Sequence, residues 1–520
     1  MLRAALVWLL VLILGPVVAG AAQAPPGAVL SDNLEYVTRV PGTGTIISAN
    51  FDRAGGRDVM LASGAWGIKS FDLSDPRNPR ELSTILPAGL NPNGLWENED
   101  VDIDKARKLV IVSVDPRHSN VDQASCPDDP AARNNVNKTR LPGCKSGIYL
   151  VSYADPAHLT QVGDFIELPT GHTSTCIAGC RFVWTGGPAR RNDQLALGPF
   201  EPGGRGDGRP IWVTDLRDAA HPRVFADPID LHRNDGATDY SHDVQVDDAG
   251  IAWVSGRGGV RGYATSGRHR DPDTGQRRWA APWAPILVAG GGVAGTADPV
   301  MFMHNSLRPV DGRVRAAGVK RGNVLIGTEE QFNDDCETDG RIVFSDLTDS
   351  WGGAKATAST PEQPYRMPAL STWHPTDGSP DTTAATDDCS AHYFSLQDGV
   401  LASAWYSQGT RLLDVSNARQ PRQIAYFRVQ ATDPATNPSS VVWDVRWHRG
   451  YAYVIDNERG IEVLRLLRGG TGHAAEMATV RAPAPRPDPY APVPVDDGRF
   501  NCPLFVDSPA AAAAKATPAT

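Results

Sequence analysis

The 520-residue sequence lacks the patterns on which several protein classes depend. It has neither a glycine at every third position nor a sustained heptad, which excludes a collagen-like chain and a coiled coil. It contains no Gly-x-Ser-x-Gly elbow for a serine hydrolase and no Cys-x-x-Cys pair for a zinc site. After residue 18, no stretch is apolar enough to cross a membrane. Helical periodicity is nearly absent, which indicates an all-β chain.

Charge of one sign is not concentrated along the chain. The 50 lysines and arginines and the 60 aspartates and glutamates give a net charge of −10 without long runs. This distribution argues against a nucleic acid or an anionic membrane surface as the main partner. Glycine, with 51 residues, and proline, with 42, are more frequent than usual, which favours a folded chain rich in turns.

The first 24 residues are typical of a signal peptide. Arg3 supplies a short positive region, residues 4–18 are apolar, and residues 19–21 are small enough for a signal peptidase. We expect cleavage near Ala21 or Ala24, and an uncleaved N-terminal anchor is the alternative. The protein is therefore expected to be secreted, periplasmic or attached to the cell surface, with no membrane span after cleavage.

The seven cysteines become candidates for disulfide bonds if the chain is exported, because compartments outside the cytosol are oxidising. Their positions along the chain suggest three local pairs and leave Cys502 over. The pairs are Cys126 with Cys144, Cys176 with Cys180, and Cys336 with Cys389. Sequence alone does not fix this connectivity.

A repeated pattern organises most of the chain. It consists of an apolar strand, an Asp or Ser, an apolar residue, a short polar turn with proline, and a further strand. The interval between copies is roughly 60–80 residues, apart from one of about twice that length, where we expect a lost copy near Tyr263. The clear copies lie at residues 71–79, 151–156, 214–222 and 413–421, and a degraded copy lies at 345–349.

Repeated units of about four strands are the signature of a β-propeller. The last unit, residues 441–466, contains only three apolar runs, and residues 34–40 have the pattern of an outer strand. We therefore predict an all-β fold with one seven-bladed propeller over residues 33–468, closed by the N-terminal strand. Residues 469–520 form a Pro- and Ala-rich tail that we expect to be partly disordered.

The pattern Asp72-Leu73-Ser74-Asp75-Pro76, continued to Pro79, resembles that of the LVIVD-repeat proteins. These are exported bacterial propellers that are mostly uncharacterised, and the similarity extends over roughly residues 34–467. A fainter resemblance is to the selenium-binding or methanethiol-oxidase propellers, which also carry histidines near the axis. The resemblance implies a propeller fold and does not by itself imply an activity.

Four of the twelve histidines precede the innermost strand of successive units, and we call them the channel histidines. Glu99 occupies the corresponding position in the preceding unit, and Trp443 occupies it in the last one. Innermost strands run side by side along a propeller's central channel, so these side chains are expected to converge at one end of it. The channel histidines are His172, His242, His304 and His392.

Several neutral imidazoles with a carboxylate form a suitable ligand set for iron, copper, manganese or zinc. We therefore predict a transition-metal site built from the channel histidines and Glu99. The alternative is structural: histidines at the starts of strands can line a watery channel or bond neighbouring carbonyl groups.

Two functional interpretations follow. The first is an exported metal-dependent enzyme, most plausibly an oxidoreductase, that acts on a small molecule at the channel mouth. The second is a non-catalytic extracellular module whose loops bind a protein or a glycan, as many propellers do.

Overall fold

A computed structural model describes most of the chain between residues 23 and 467. The described ranges are 23–88, 99–114, 147–168, 171–187, 211–231, 240–294, 302–330, 340–359, 363–375 and 389–467. Nearly all of the expected signal peptide and tail, together with Cys126, Cys144, Cys336 and Cys502, lie outside these ranges. No helix in the described ranges is long and apolar enough to cross a membrane.

The described residues are almost entirely β-structure. The strands are β1 (Ala28–Leu30), β2 (Leu34–Arg39), β3 (Ile46–Ala54), β4 (Arg57–Gly64), β5 (Gly67–Asp72), β6 (Arg80–Ile85), β7 (Asp102–Asp104), β8 (Leu109–Val114), β9 (Gly147–Ser152), β10 (Thr160–Gln161), β11 (Ile166–Glu167), β12 (Thr173–Ile177), β13 (Phe182–Gly186), β14 (Trp212–Asp215), β15 (Arg223–Val224), β16 (Tyr240–Val246), β17 (Ile251–Arg257), β18 (Gly259–Ala264), β19 (Arg268–Arg270), β20 (Arg277–Trp279), β21 (Ile286–Val293), β22 (Met303–Leu307), β23 (Val324–Glu329), β24 (Ile342–Asp346), β25 (Arg366–Met367), β26 (Ala369–Trp373), β27 (Phe394–Gln397), β28 (Val400–Ala404), β29 (Thr410–Asp414), β30 (Arg422–Val429), β31 (Val442–His448), β32 (Tyr451–Asp456) and β33 (Gly460–Leu466). A single-turn helix, α1 (Ala354–Thr357), precedes β25.

Within the described ranges the strands form the seven blades of a propeller, each an antiparallel sheet ordered from the axis outwards. Blade 1 contains β3–β6, blade 2 contains β7–β10, and blade 3 contains β12–β15. In blade 2, β11 also pairs with β9. Blades 4 and 5 are β16–β17–β18–β21 and β22–β23–β24–β26. Blades 6 and 7 are β27–β30, extended by β1, and β31–β32–β33–β2. The predicted seven-bladed all-β fold is confirmed.

The N-terminal strand closes the ring as the sequence predicted. β2 pairs antiparallel with β33, with Leu34 opposite Leu466 and Arg39 opposite Glu462. The structure adds two pairings that the sequence did not suggest. β1 extends blade 6 by pairing with β30, and β25 pairs parallel with β21 at the outer edge of blade 4.

The repeated aspartate ends the third strand of its blade, and its side chain explains why the pattern recurs. The Oδ1 atom of Asp72 accepts a hydrogen bond from the amide of Ser74 at 2.9 Å, and Asp414 does the same with Ser416 at 3.0 Å. Such a bond to the amide two residues on stabilises a turn. In blade 4, β18 ends at Ala264 without this aspartate, which accounts for the long interval near Tyr263.

Apolar side chains fill the spaces between neighbouring blades around the whole ring. One buried cluster joins blades 3 and 4 through Trp184 and Val254, and another joins blades 7 and 1 through Trp443 and Met60. The other five blade interfaces contain clusters of the same kind. Since stability arises mainly at these interfaces, polar groups can occupy the axis without unfolding the ring.

One predicted disulfide is confirmed. Cys176 and Cys180 are bonded, with their Cα atoms 4.3 Å apart, at the turn between β12 and β13. Cys389 is also in a disulfide, whose partner lies outside the described ranges. The pairing of Cys126 with Cys144, and Cys336 as the partner of Cys389, remain predictions.

Candidate metal centre

Backbone irregularities bring the side chains of the innermost strands to the channel. The pairing of β16 with β17 skips His242, and the pairing of β22 with β23 skips His304. The same irregularity occurs at Ile47 in blade 1 and at Trp443 in blade 7. A bulge places an extra residue on one strand and redirects its side chain. The bulge therefore occurs at the same level of four blades. In two of them the redirected side chain is a histidine.

The other two channel histidines reach the same level by different contacts. The backbone amide of His392 donates a hydrogen bond to the carbonyl of Ala404 on the neighbouring strand at 3.1 Å. The carbonyl of Tyr393 accepts one from the amide of Ala404 at 3.0 Å. His172 lies directly before β12, and its ring occupies space beside Gly187. Thr173 then donates a hydrogen bond to the carbonyl of His242 at 2.8 Å, which links blades 3 and 4 at this level.

The four imidazoles form a continuous arc. The centroids of neighbouring rings are 4.5 Å apart for His172 and His242, 4.3 Å for His242 and His304, and 3.7 Å for His304 and His392. All four rings are buried, with at most 2% of any residue exposed. The structure thus brings all four channel histidines together at the axis.

Glu99 lies at the centre of this arc, because a carboxylate oxygen of Glu99 approaches each imidazole. Its Oε2 atom is 3.1 Å from Nε2 of His172, 3.7 Å from that of His242 and 3.4 Å from that of His304. Its Oε1 atom is 3.8 Å from Nε2 of His392. Each imidazole therefore presents its Nε2 atom to the same buried carboxylate.

The cluster contains a second carboxylate, which the sequence did not predict. This is Glu330, which follows β23. Its Oε2 atom lies 3.8 Å from Nε2 of His304, and its Oε1 atom lies 3.8 Å from Nε2 of His392. Tyr406 donates a hydrogen bond to Oε1 of Glu330 at 2.5 Å, and Tyr393 donates one to Oε2 of Glu99 at 3.4 Å. The only sequence signal for Glu330 is an acidic pair at the end of an apolar strand.

Buried polar atoms of the cluster lack hydrogen-bond partners among the described residues. They are Nδ1 of His242, both ring nitrogens of His304, Nε2 of His392 and Oε2 of Glu330. Such buried atoms normally have a partner, because leaving one unpaired costs about 1–3 kcal/mol. In each of three overlapping triads the donor atoms lie within 4.8 Å of one another, so each triad could hold an ion. The triads are Glu99–His172–His242, Glu99–His304–His392 and His242–His304–Glu330.

The protonation of His392 is fixed by its backbone contact. Its Nδ1 atom lies 2.6 Å from the carbonyl oxygen of Trp443, so Nδ1 carries the proton that it donates there. Burial, followed by the positive charge of His304, keeps the pKa of His392 well below its usual value. The ring is therefore neutral, and Nε2 presents a lone pair to two carboxylates. Metal-binding histidines are commonly oriented in this way.

The pKa values of Glu99, His242 and His304 depend on one another's charges. Burial would raise the pKa of Glu99, but the nearby imidazoles, above all His172, hold it well below its usual value. Burial and the charge of His304 lower the pKa of His242. For His304, burial acts to lower the pKa, but Glu330 and Glu99 outweigh it and raise the pKa. A bound cation would replace the proton of His304 as the positive charge between these carboxylates.

A layer of acidic side chains lies next to the cluster along the channel. Gln245 donates to Asp100 at 2.9 Å and to Asp243 at 3.1 Å, and Arg446 bridges Asp100 and Asp444. Burial and the charge of Asp100 raise the pKa of Asp243 to about 7. Asp243 therefore takes up a proton near neutral pH, and the charge of Asp100 that contributes to this shift also favours a cation at the axis.

Gly187 offers a test of how the position of His172 is maintained. A Cβ atom at Gly187 would lie 2.2 Å from Cβ of His172, and the φ of +110° disfavours any other residue. Gly187→Ala should displace the His172 ring and lower metal content. It should also reduce the free energy of unfolding by about 2 kcal/mol more than Gly250→Ala does. Gly250 has a φ of +80° but faces open space among the described residues, so it controls for backbone strain. Equal effects of the two substitutions would contradict this role.

No protein-family model and no curated protein matches the chain. Solved structures resemble it at low identity and with TM-scores below 0.5. One is the extracellular domain of a protein described as a one-component system from B. thetaiotaomicron, with 11% identity, a TM-score of 0.42 and coverage of 83% of this chain. This chain spans only 40% of the length of that extracellular domain.

Two further structures have similar scores. A protein from Lactobacillus plantarum is 10% identical at a TM-score of 0.40, with 80% of this chain and 93% of the other covered. The β-propeller domain of Cps50 (Swd1) from Myceliophteria thermophila is 8% identical at a TM-score of 0.43, with 82% and 100% covered. These similarities concern the fold alone, and the assignment of seven blades rests on the strand pairing.

Proposed function

We propose that this protein is an exported metalloprotein that binds one transition-metal ion between the channel histidines and acts as an oxidoreductase. The observation that carries the metal proposal is the environment of His392. A neutral ring directs an Nε2 lone pair at Glu99 and Glu330, 3.8 Å from an oxygen of each. Electron-rich atoms that converge in a buried space need positive charge nearby, which a proton on His304 supplies in the protein alone and which a bound cation would supply in its place.

The donor set supports iron, copper or manganese, with zinc as the redox-inactive alternative. When bound, such an ion supplies single-electron chemistry and polarises a molecule at an open coordination position. The protein's own groups orient and balance the site. The carbonyl of Trp443 fixes the His392 ring, Tyr406 fixes Glu330, and Glu99 supplies the negative charge shared by all four imidazoles.

Export is proposed together with this function. The apolar segment at residues 4–18 supports a signal peptide, and the disulfide between Cys176 and Cys180 fits an oxidising compartment. The resemblance to LVIVD-repeat proteins fits the same location, and we propose membership of that group on the repeat pattern alone.

Replacing one imidazole tests the metal proposal. We expect untagged protein, exported to an oxidising compartment, to contain about one transition-metal ion per chain. His242→Ala should lower this content about tenfold or more, because a lost ligand weakens binding while the blade interfaces keep the fold. Elemental analysis before any imidazole step measures the content, and circular dichroism checks the fold.

His448→Ala is the matched control. His448 lies on the same class of inner strand, in β31, but pairs with Asp58 at 3.0 Å and stacks on Phe51, away from the cluster. Its replacement should leave metal content unchanged. If His242→Ala retained its metal, the channel histidines would be structural and the chain a binding module. Equal loss of metal in both variants would indicate a general effect of unfolding and would contradict a specific ligand role for His242.

The oxidoreductase proposal needs its own test. The bound ion should change oxidation state reversibly when dithionite and then ferricyanide are added, as followed by electron paramagnetic resonance. A protein that contains only zinc, or an ion that does not respond to either reagent, would contradict redox activity while leaving metal binding intact.

A further inference from the structure

A basic hairpin extends from blade 4, formed by β19 and β20. Arg268 lies opposite Trp279, and Arg270 lies opposite Arg277. Residues directly opposite in an antiparallel pair point to the same face, so these four side chains share one face. All four residues are exposed, Trp279 at 72%. We call this the outer face of the hairpin.

The other face is held against the propeller. Arg278 binds Asp271 through Nε at 2.5 Å and donates to the carbonyl groups of Ala284 and Pro285, each at 2.8 Å. Asp271 also accepts the amide of Asp273 at 2.9 Å within the turn. The hairpin is therefore a fixed platform, and its outer face has a defined geometry.

The outer face is unfavourable by itself. Arg270 and Arg277 are like charges directly opposite each other, an arrangement that destabilises a strand pair. Arg277 relieves part of this cost by donating to the carbonyl of Arg268 at 2.9 Å. The aspartate that neutralises Arg278 lies on the inner side. Three arginines and an exposed tryptophan thus gather on one surface of a protein whose net charge is −10.

Further exposed apolar side chains follow the hairpin along the chain or lie on the neighbouring blade 3. Trp283, 44% exposed, follows β20 and stacks on Phe225 with ring centroids 5.5 Å apart. Val224, next to Phe225, is 39% exposed. Trp279, Trp283 and Val224 are three of the five large apolar residues that are exposed in the described ranges. Trp283 contacts Phe225 beside Val224, and exposed apolar residues grouped in this way mark an interaction site more often than scattered ones do.

We propose that the outer face of the basic hairpin binds an anionic polysaccharide, with the exposed Trp283, which follows the hairpin along the chain, as a further surface for stacking. Guanidinium groups bind carboxylate, sulfate or phosphate through paired hydrogen bonds. Indole rings offer flat apolar faces against which sugar rings stack. Along β19, Arg268 and Arg270 are about 7 Å apart at the usual rise, which suits charges repeated along an extended polymer. This inference does not depend on the metal site.

A membrane surface fits less well. Trp279 is the one apolar side chain among the four of the outer face, and Trp283 has its ring stacked on Phe225, so the three arginines outweigh the apolar area that would gain by entering lipid. An extended polysaccharide that lies along the hairpin can instead contact the arginines and the tryptophan at the same time, because these side chains share one face. Lipid vesicles and DNA are therefore alternatives that the experiment must distinguish.

The test measures binding of the full protein to alginate by titration calorimetry, with neutral dextran for comparison. We expect binding to alginate and none to dextran, and we expect the affinity to fall as sodium chloride rises from about 0.05 to 0.5 M. Replacing Arg268, Arg270 and Arg277 together with alanine should weaken binding about tenfold or more. Trp279→Ala should weaken it about threefold to tenfold.

The control replaces three exposed arginines of blades 5 and 6, namely Arg321, Arg419 and Arg422, with alanine, and it should bind as the wild type does. Equal loss in the control would show non-specific charge attraction and overturn the proposal. So would tighter binding to phosphatidylglycerol vesicles or to a short DNA duplex than to alginate. Unchanged alginate binding after the hairpin substitutions would overturn it as well.

Discussion

A chain that starts at residue 42 is expected not to fold cooperatively, because it lacks the strand that closes the ring. β2 contributes Leu34, Tyr36 and Val37 to the interfaces of blade 7, and Val40 follows directly. All four are less than 9% exposed. Burying four such side chains contributes about 6–12 kcal/mol. The net stability of a protein is only about 5–15 kcal/mol, so the loss approaches the whole.

A chain that starts at residue 32 is the matched control. It lacks β1, which adds a fifth strand to the outer edge of blade 6 and whose three residues are only half-buried. We expect this chain to unfold in one transition, close to that of the longer chain, when urea denaturation is followed by circular dichroism. If the chain starting at residue 42 unfolded in the same way, blade 7 would not need β2 and the account of ring closure would be wrong.

Replacing Glu99 with glutamine is expected to remove most of the bound metal. The substitution keeps the size of the side chain but removes the negative charge that approaches all four channel histidines within 3.8 Å. We expect metal content to fall about tenfold or more, since a lost ligand and a lost charge both weaken binding. Elemental analysis after loading with ferrous, cupric or manganous ions measures the effect.

Glu462→Gln is the matched control for Glu99→Gln, because Glu462 is equally buried outside the site. Its carboxylate binds Arg459 at 2.9 Å and accepts a hydrogen bond from Tyr36 of the closing strand. The control should keep its metal and lose stability, because it weakens a buried ion pair. Glu99→Gln should instead lose its metal and keep its stability. Loss of metal in both variants would indicate a general effect of unfolding and not of the site.

The parts of this structure that the sequence predicts depend on short-range patterns. Asp72 and Asp414 each bond the amide two residues on, so the turn after the third strand of these blades is encoded locally. The positions of His242 and His304 are equivalent because each is the bulged residue of its inner strand. Equivalent positions on parallel inner strands meet at the axis. Aligning the repeated units was therefore enough to predict that these residues lie close together.

Residues that reach the cluster from elsewhere in a blade could not be predicted in this way. Glu330 follows the second strand of blade 5, and Tyr406 follows the second strand of blade 6. They meet because two neighbouring blades pack at a particular angle, which no periodicity in the sequence records. The same holds for β1, whose partner β30 lies almost 400 residues further along the chain. These are non-local contacts that only the closed ring creates.

Anomalous X-ray diffraction at the absorption edge of the metal that the purified protein contains is the most direct test of the metal centre. We expect one strong peak on the propeller axis, about 2.0–2.2 Å from the Nε2 atoms of at least three channel histidines. Glu99 should also lie within bonding distance or accept a hydrogen bond from a bound water. A fully loaded protein with no peak on the axis, or with its metal at the surface, would contradict the account.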